Sequence, residues 1–309
     1  MARNLQSVGD LSYYDRLLPC IPLGESITPC IYQTCRSKTS LPEAIQENIA
    51  RLKKSNPTWT HELFDDRDIE SFILEHYGEE ILGYYRRINP VYGAARADFF
   101  RYLLVYARGG IYLDIKSTLT KPLDQVLHAT DRYILSHWDN LPGGIHPPKH
   151  GVNLKRLPTL ARGEWCQWFI VSVAGHPFLR EVILEMLAAM DRYNPFTWGV
   201  AGHGIFPVTG PHRYSWGIEQ VLPVLPADMY RILERPQDLG LQYSIYEQVS
   251  LLHHREVLGA NYDEPLEPVI ASRWDPLFAL YKPWKRVKQR YKGWKRQRRA
   301  RRAQSKKFS

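Results

Sequence analysis

The stretch from Ala94 to Ser117, AARADFFRYLLVYARGGIYLDIKS, constrains the chain most, because its hydrophobic period changes from helical to strand-like across two adjacent glycines. Phe100, Leu103, Leu104 and Ala107 recur at helical spacing, which predicts a core-facing stripe and leaves Asp98 and Arg101, three apart, together on another face. Gly109 and Gly110 stop the helix, since glycine accepts the backbone that a C-terminal cap needs. Ile111, Leu113 and Ile115 then alternate with Tyr112, Asp114 and Lys116, so a strand is predicted with Asp114 on its less apolar side near the C-terminal end. In open α/β sheets, ligands sit outside that end of the strands.

The rest of the chain alternates in the same way. Strands are predicted near Ile31 to Thr34, Thr58 to Phe64, Tyr133 to Ser136 and Trp168 to Ala174. Helices are predicted over Ala44 to Lys54, with Ser40 as N-cap and Pro42 in the first turn, over Asp66 to Tyr77 and Glu79 to Arg86, and over Phe178 to Tyr193. Pro122 to Asp124 reads as a turn, and 140–160, with its glycines, prolines and cations, as a long loop placed to act as a lid. The segment from Gly199 to Trp216, rich in glycine, histidine and aromatics, suits an acceptor pocket, with Gly210 and Pro211 as a turn and His203 and His212 as core or surface histidines.

Ala97-Asp98-Phe99-Phe100-Arg101, followed by Gly109-Gly110-Ile111-Tyr112-Leu113-Asp114-Ile115-Lys116, resembles the DXD-motif, sugar-binding glycosyltransferases. That family includes yeast-type initiating α-1,6-mannosyltransferases, bacterial capsule and lipopolysaccharide transferases and, more distantly, clostridial glucosylating toxins. ITPCIYQTCRS at 27–37 is similar to its first strand, NPTWTHELFDD at 56–66 to its second, and VTGP at 208–211 to a late Thr-Gly-Pro. The resemblance covers roughly 27–275 and is densest over 90–124. It implies a GT-A fold, a Rossmann-like mixed sheet flanked by helices, over 27–275, preceded by an irregular leader at 1–26 and followed by a basic tail at 276–309.

The resemblance also implies roles. Asp98, Arg101, Tyr112 and Gln33 would contact a nucleotide-sugar donor, with Arg101 on sugar hydroxyls or the diphosphate, although Asp98 with Arg101 also reads as an ordinary helix ion pair and Tyr112 as packing. Asp114 would hold Mn²⁺ or Mg²⁺ against the diphosphate, because hard cations prefer oxygen ligands, with His253 as a further ligand. Two departures stand out: Lys116 occupies the second aspartate of the DXD, and Cys35 stands where the family has tryptophan. Either Asp114 binds the ion while the Lys116 ammonium touches a phosphate, or the lysine has replaced the ion. Asp114 and Lys116 are therefore the catalytic candidates, with Ser272 and Trp274 closing over the donor and Asp139 a candidate nucleophile. Same-face attack, which retains the anomeric configuration, would need no nucleophile.

Charge adds a second theme. The chain of 309 residues carries a net +9, yet 282–307 holds 14 Lys/Arg and no acid, leaving 27 basic against 32 acidic residues elsewhere. With Trp284, Tyr291 and Trp294 interleaved, that tail reads as an anionic-membrane binder, a nucleic-acid binder or a solvated appendage, nucleic acid being the least favoured of these partners. Four cysteines without a paired pattern read as thiols of a reducing compartment. The first twenty residues lack a charged-then-apolar leader, so the expectation is a cytoplasmic enzyme, peripheral to the inner face of the membrane. It would build a surface glycan such as capsule or lipopolysaccharide by hexosyl transfer from a UDP- or GDP-sugar to a glycan or lipid-linked acceptor. A catalytically inert nucleotide-sugar scaffold is the alternative from another class.

Overall fold

The computed structural model describes residues 10–138, 163–246, 257 and 265–284; the expected lid at 140–160, Asp139 and His253 lie outside these. Six strands form one mixed sheet in the order β2 (Thr60–Phe64), β1 (Cys30–Thr34), β3 (Gly110–Leu113), β6 (Phe169–Ser172), β5 (Tyr133–Ser136) and β7 (Arg231–Leu233). β1 runs parallel to β2 and β3, β5 runs parallel to β7, and β6 is antiparallel to both of its neighbours. β4 (Thr118–Leu119) and β8 (Leu241–Gln242) pair separately. The α/β architecture expected from the alternating periods is therefore present.

The period of two sorts side chains onto two cores. Tyr32, Tyr112 and Ile170 face a large aromatic core shared with the helices α3 (Asp66–Arg87), α4 (Gly93–Arg108), α5 (Pro177–Asp191) and α7 (Pro211–Val221). Ile31, Ile111, Leu113, Phe169 and Val171 face a smaller core closed by Leu52 of α2 (Glu43–Ser55), Trp168 and Leu241. Asp114 follows Tyr112 by two, so the same alternation directs it to the α4 side.

Local chemistry explains most element ends. Asp65 caps α3 by accepting from the Arg67 and Asp68 amides, while the Asp68 carboxylate accepts from the Asp65 amide. The expected break between two helices falls at Gly78, whose non-helical φ of 76° kinks α3 into two helical segments. α2 begins at Glu43 after Pro42 rather than under a Ser40 cap, because Lys38–Ser40 already forms a one-turn helix capped by Ser37. The third strand stops at Leu113, one residue short of the expected end at Asp114, and a turn closed by the Ser117 amide on the Asp114 carbonyl at 2.8 Å follows it. The short elements β4, β7 and β8 and the helix α6 (Gly202–Val208) lay below what periodicity reveals.

α4 departs most from expectation. A one-sided stripe was predicted, yet ten residues are buried, including Phe99, Tyr102, Val105, Asp98 and Arg101. The leader contributes α1 (Ser12–Leu17), whose Asp15 pairs with Arg180 at 2.7 Å. A final helix over 275–284 runs across the expected boundary at 276. All four cysteines are thiols rather than disulfides.

Gly109 adopts φ +65°, and a β-carbon there would lie 2.7 Å from the Ala174 backbone nitrogen, so the α4-to-β3 turn requires glycine on two counts. Gly109→Ala should lower unfolding free energy by about 2 kcal/mol or more, measured by chemical denaturation.

Candidate functional site

The parallel strands β1 and β3 deliver their C-terminal ends to one edge of the sheet, and antiparallel β6 delivers its N-terminal end there. Asp114 is pinned at that edge by its amide donating to the Trp168 carbonyl at 2.8 Å and by Gln33 Nε2 donating to its own carbonyl at 3.2 Å. Gln33 is wholly buried, and its Oε1 lies 2.9 Å from His61 Nε2. Burial lowers the His61 pKa to about 4, so the ring is neutral and donates to the amide oxygen. Gln33, expected at the donor, holds the backbone of Asp114 from within.

The side chains of Asp98, Arg101, Asp114 and Lys116 meet in one cluster. Arg101 Nη2 lies 3.2 Å from Asp98 Oδ1 and 3.0 Å from Asp114 Oδ1, while Lys116 Nζ lies 2.5 Å from Asp114 Oδ2. The remaining Arg101 donors reach the Gln167 carbonyl at 2.6 Å and the Ala97 carbonyl at 3.2 Å. Its guanidinium also stacks 4.6 Å from the Tyr112 ring centroid, and the Tyr112 hydroxyl bonds Thr34 Oγ1 at 2.9 Å. Tyr112 is thus a buried floor beneath the arginine.

Exposure divides the cluster. The Asp98 and Arg101 side chains are each 5 % accessible and Lys116 9 %, whereas Asp114 reaches 19 %. Arg101 is engaged by protein on every side, so its part is to hold the two carboxylates in register. Asp114, an acceptor for hydroxyl groups, is the member most open to an incoming molecule, and the buried Lys116 ammonium stands directly beside it as a point charge. The Lys116 ammonium also sits 4.3 Å from the Tyr243 ring centroid.

Asp98 is the electrostatically costly member. Burial raises its pKa to about 7 against the pull of Arg101, and the nearby Asp114 charge raises it further. Thr209 Oγ1, from the 208–211 VTGP run, donates to Asp98 Oδ2 at 3.3 Å. The opposing charges hold Arg101 far above its usual range despite its burial.

A divalent cation does not fit this donor set. Both Asp114 oxygens face cations, the position of the second DXD carboxylate holds an ammonium, and among the described residues no group of three or more His, Cys, Asp or Glu is arranged to hold a metal.

The other expected residues lie elsewhere. Ser272 Oγ accepts from the Trp274 amide at 3.3 Å and donates to Asp275 at 2.9 Å, capping the final helix, and Trp274 lies against the Arg273 guanidinium. His203 is exposed, and buried His212 sits 3.4 Å from Glu164. Gly210 and Pro211 start α7. Gln167, Thr34, Tyr102, Thr209 and Tyr243 were not singled out by sequence. Thr34 and Thr209 lay within the segments 27–37 and 208–211 already noted and Tyr102 lies on α4 beside Arg101, whereas Gln167 and Tyr243 come from distant segments that carry no local signal.

Comparison with known proteins bears on the same segment. Residues 42–133 match the family model described as a glycosyltransferase sugar-binding region containing the DXD motif. Over 162 residues the chain is 30 % identical to an initiation-specific α-1,6-mannosyltransferase of Candida albicans, covering 50 % of this chain and 41 % of that one. Over 173 residues it is 27 % identical to the protein of the same name from Schizosaccharomyces pombe, covering 53 % and 40 %. The chain therefore spans about two fifths of the length of these curated relatives. Among solved structures, the PaToxG glycosyltransferase superposes with a TM-score of 0.44 at 14 % identity, over 89 % of this chain and 90 % of that one.

Removing the arginine alone should leave the buried Asp98 and the part-exposed Asp114 carboxylates without the cation between them. Arg101→Met is expected to cost about 3–5 kcal/mol in chemical denaturation, with Arg101→Lys intermediate because an ammonium lacks the planar fork. A second outcome follows from Asp98. Its folded pKa of about 7 lies above the ordinary 3.8, so between those values the native state binds the extra proton. Its contribution to stability therefore declines as pH rises from about 4 to about 7, and Asp98→Asn should remove that slope from the stability-versus-pH curve.

Proposed function

We propose that this chain, whose residues 42–133 carry the sugar-binding region of the DXD glycosyltransferases, is a glycosyltransferase that moves a hexosyl unit from a nucleotide sugar onto a hydroxyl acceptor. The observation that carries this reading is the buried Asp98–Arg101–Asp114 clamp, which presents a carboxylate beside an ammonium at the C-terminal edge of the parallel strands. Because both curated relatives described above are named as mannosyltransferases, a mannosyl donor is the first to test.

Asp114 would accept hydrogen bonds from donor hydroxyls, and Lys116 would lie against a diphosphate oxygen. In the transfer, the bond from the anomeric carbon to the diphosphate oxygen breaks while the acceptor oxygen bonds that carbon. The acceptor proton passes to the departing diphosphate. Attack on the same face retains configuration and needs no protein nucleophile. Negative charge gathers on the leaving oxygens, and the fixed Lys116 ammonium offsets it, supported by Arg101 behind Asp114. The family resemblance implies Mn²⁺ or Mg²⁺ in this role. The donor set favours the lysine, so no step is assigned to an ion.

The acceptor expected from sequence, a bacterial capsule or lipopolysaccharide, draws no support from these relatives, which are fungal. A glycan or glycolipid hydroxyl is the class this reading retains. An inert nucleotide-sugar binder is the second reading, favoured by the lysine in the DXD.

Release of nucleoside diphosphate from GDP-mannose and UDP-hexoses, with Mn²⁺ and with a chelator, separates the readings. The transferase reading expects turnover that survives the chelator. Asp114→Ala and Lys116→Met should each lower it by about 10²–10³-fold without loss of fold, and Lys116→Asp should make the residual rate depend on Mn²⁺. Wild-type rates in Asp114→Ala would overturn the site assignment, and no release from any donor under either condition would favour the inert binder over the transferase.

A further inference from the structure

The final helix, 275–284, is held to the body by one side only. Phe278, 1 % exposed, and the partly buried Tyr281 pack with Val200 and Leu266, their rings 5.3 and 5.4 Å from Phe196. The Lys282 ammonium pairs with the Glu267 carboxylate. Ser272 caps its start. The helix is therefore docked and oriented, which makes what it turns outward informative.

Outward it carries Leu277 and Leu280, exposed at 55 % and 81 %, beside Trp284, which is 53 % exposed with its ring 5.1 Å from that of Tyr281. Their spacing of three and then four places them within an arc of roughly 60°. Leu280 and Val224 are the most exposed large apolar side chains among the described residues. Scattered exposed leucines need no explanation, but an apolar stripe along one helix does. The sequence that starts within this helix supplies the second half of the observation: Lys282 to Lys307 contains 14 Lys/Arg and no acid.

We infer that this helix lies in the plane of an anionic lipid surface, with Leu277, Leu280 and Trp284 in the headgroup–acyl boundary and the positive charge of the sequence after 282 adding attraction to the lipid charge. An apolar stripe and a cationic run are each a weak membrane signal, and the two together are what stable interfacial binding requires. Nucleic acid would engage the cations and aromatics but has no use for an outward leucine pair. A second copy is disfavoured by symmetry, since an isologous contact through this helix would bring two basic segments together. Spanning the bilayer is not the mode offered, because among the described residues no helix is long and apolar enough to cross it.

Flotation of the full chain with phosphatidylcholine vesicles, with and without phosphatidylserine, tests the inference. Binding is expected on the phosphatidylserine vesicles and should weaken as salt is raised. Leu277→Ser/Leu280→Ser should reduce it by about tenfold or more while leaving the melting temperature and any donor hydrolysis in vesicle-free solution unchanged. Undiminished binding by the double variant would overturn the inference by assigning the contact to cations alone. So would retention on RNA without retention on vesicles, or a dimer in solution that the double variant dissolves. Because vesicle binding is read without donor, failure of the transferase reading leaves this test intact.

Discussion

One buried guanidinium organises the site. Arg101 lies inside the α4 face of the sheet, bonded to carboxylates from its own helix and from the end of the next strand, and to carbonyls at 97 and 167. Burying a charge is costly unless its donors are satisfied, and here each nitrogen has a partner. The arrangement couples the site to the fold. The helix must end at Gly109, the chain must reverse into β3, and β6 must pair antiparallel for all these acceptors to converge.

The departure at Lys116 follows from the same geometry. With Arg101 on one oxygen of Asp114 and Lys116 on the other, the carboxylate already has two cations beside it. The positive charge beside Asp114 is carried by two side chains of the protein. The position of the Lys116 ammonium is set by the turn and by the Tyr243 ring. The polar cluster and the outward face of the final helix are separate consequences of one chain. The first comes from converging strand ends, and the second from a helix that exhausts its inward contacts before its apolar residues run out.

Much of this was legible from the amino-acid order. The switch of period across Gly109-Gly110 is a local property, and so were the helix, the turn and the strand after it. Asp98, Arg101, Asp114 and Lys116 were all identifiable because they share one short segment of known register, and Tyr133–Ser136 was legible to the residue because a compact apolar run admits one reading. What escaped were contacts made across sequence distance. Gln33 was read as a ligand contact but bonds within the core, Tyr112 takes the packing position that was one of its two readings, and the two-residue strands are defined only by their partners.

By itself, then, the sequence determined the alternation of elements, the glycine turn, the charged residues at its two ends and the basic run after 282, because each depends on neighbours within a few positions. Only the tertiary structure decided that Arg101 faces inward to bind two carboxylates, that Asp114 is the member left at the surface, and that Leu277 and Leu280 point away from the body. Burial is a property of what packs against a residue, and strand pairing brings those neighbours from parts of the chain that no local pattern connects.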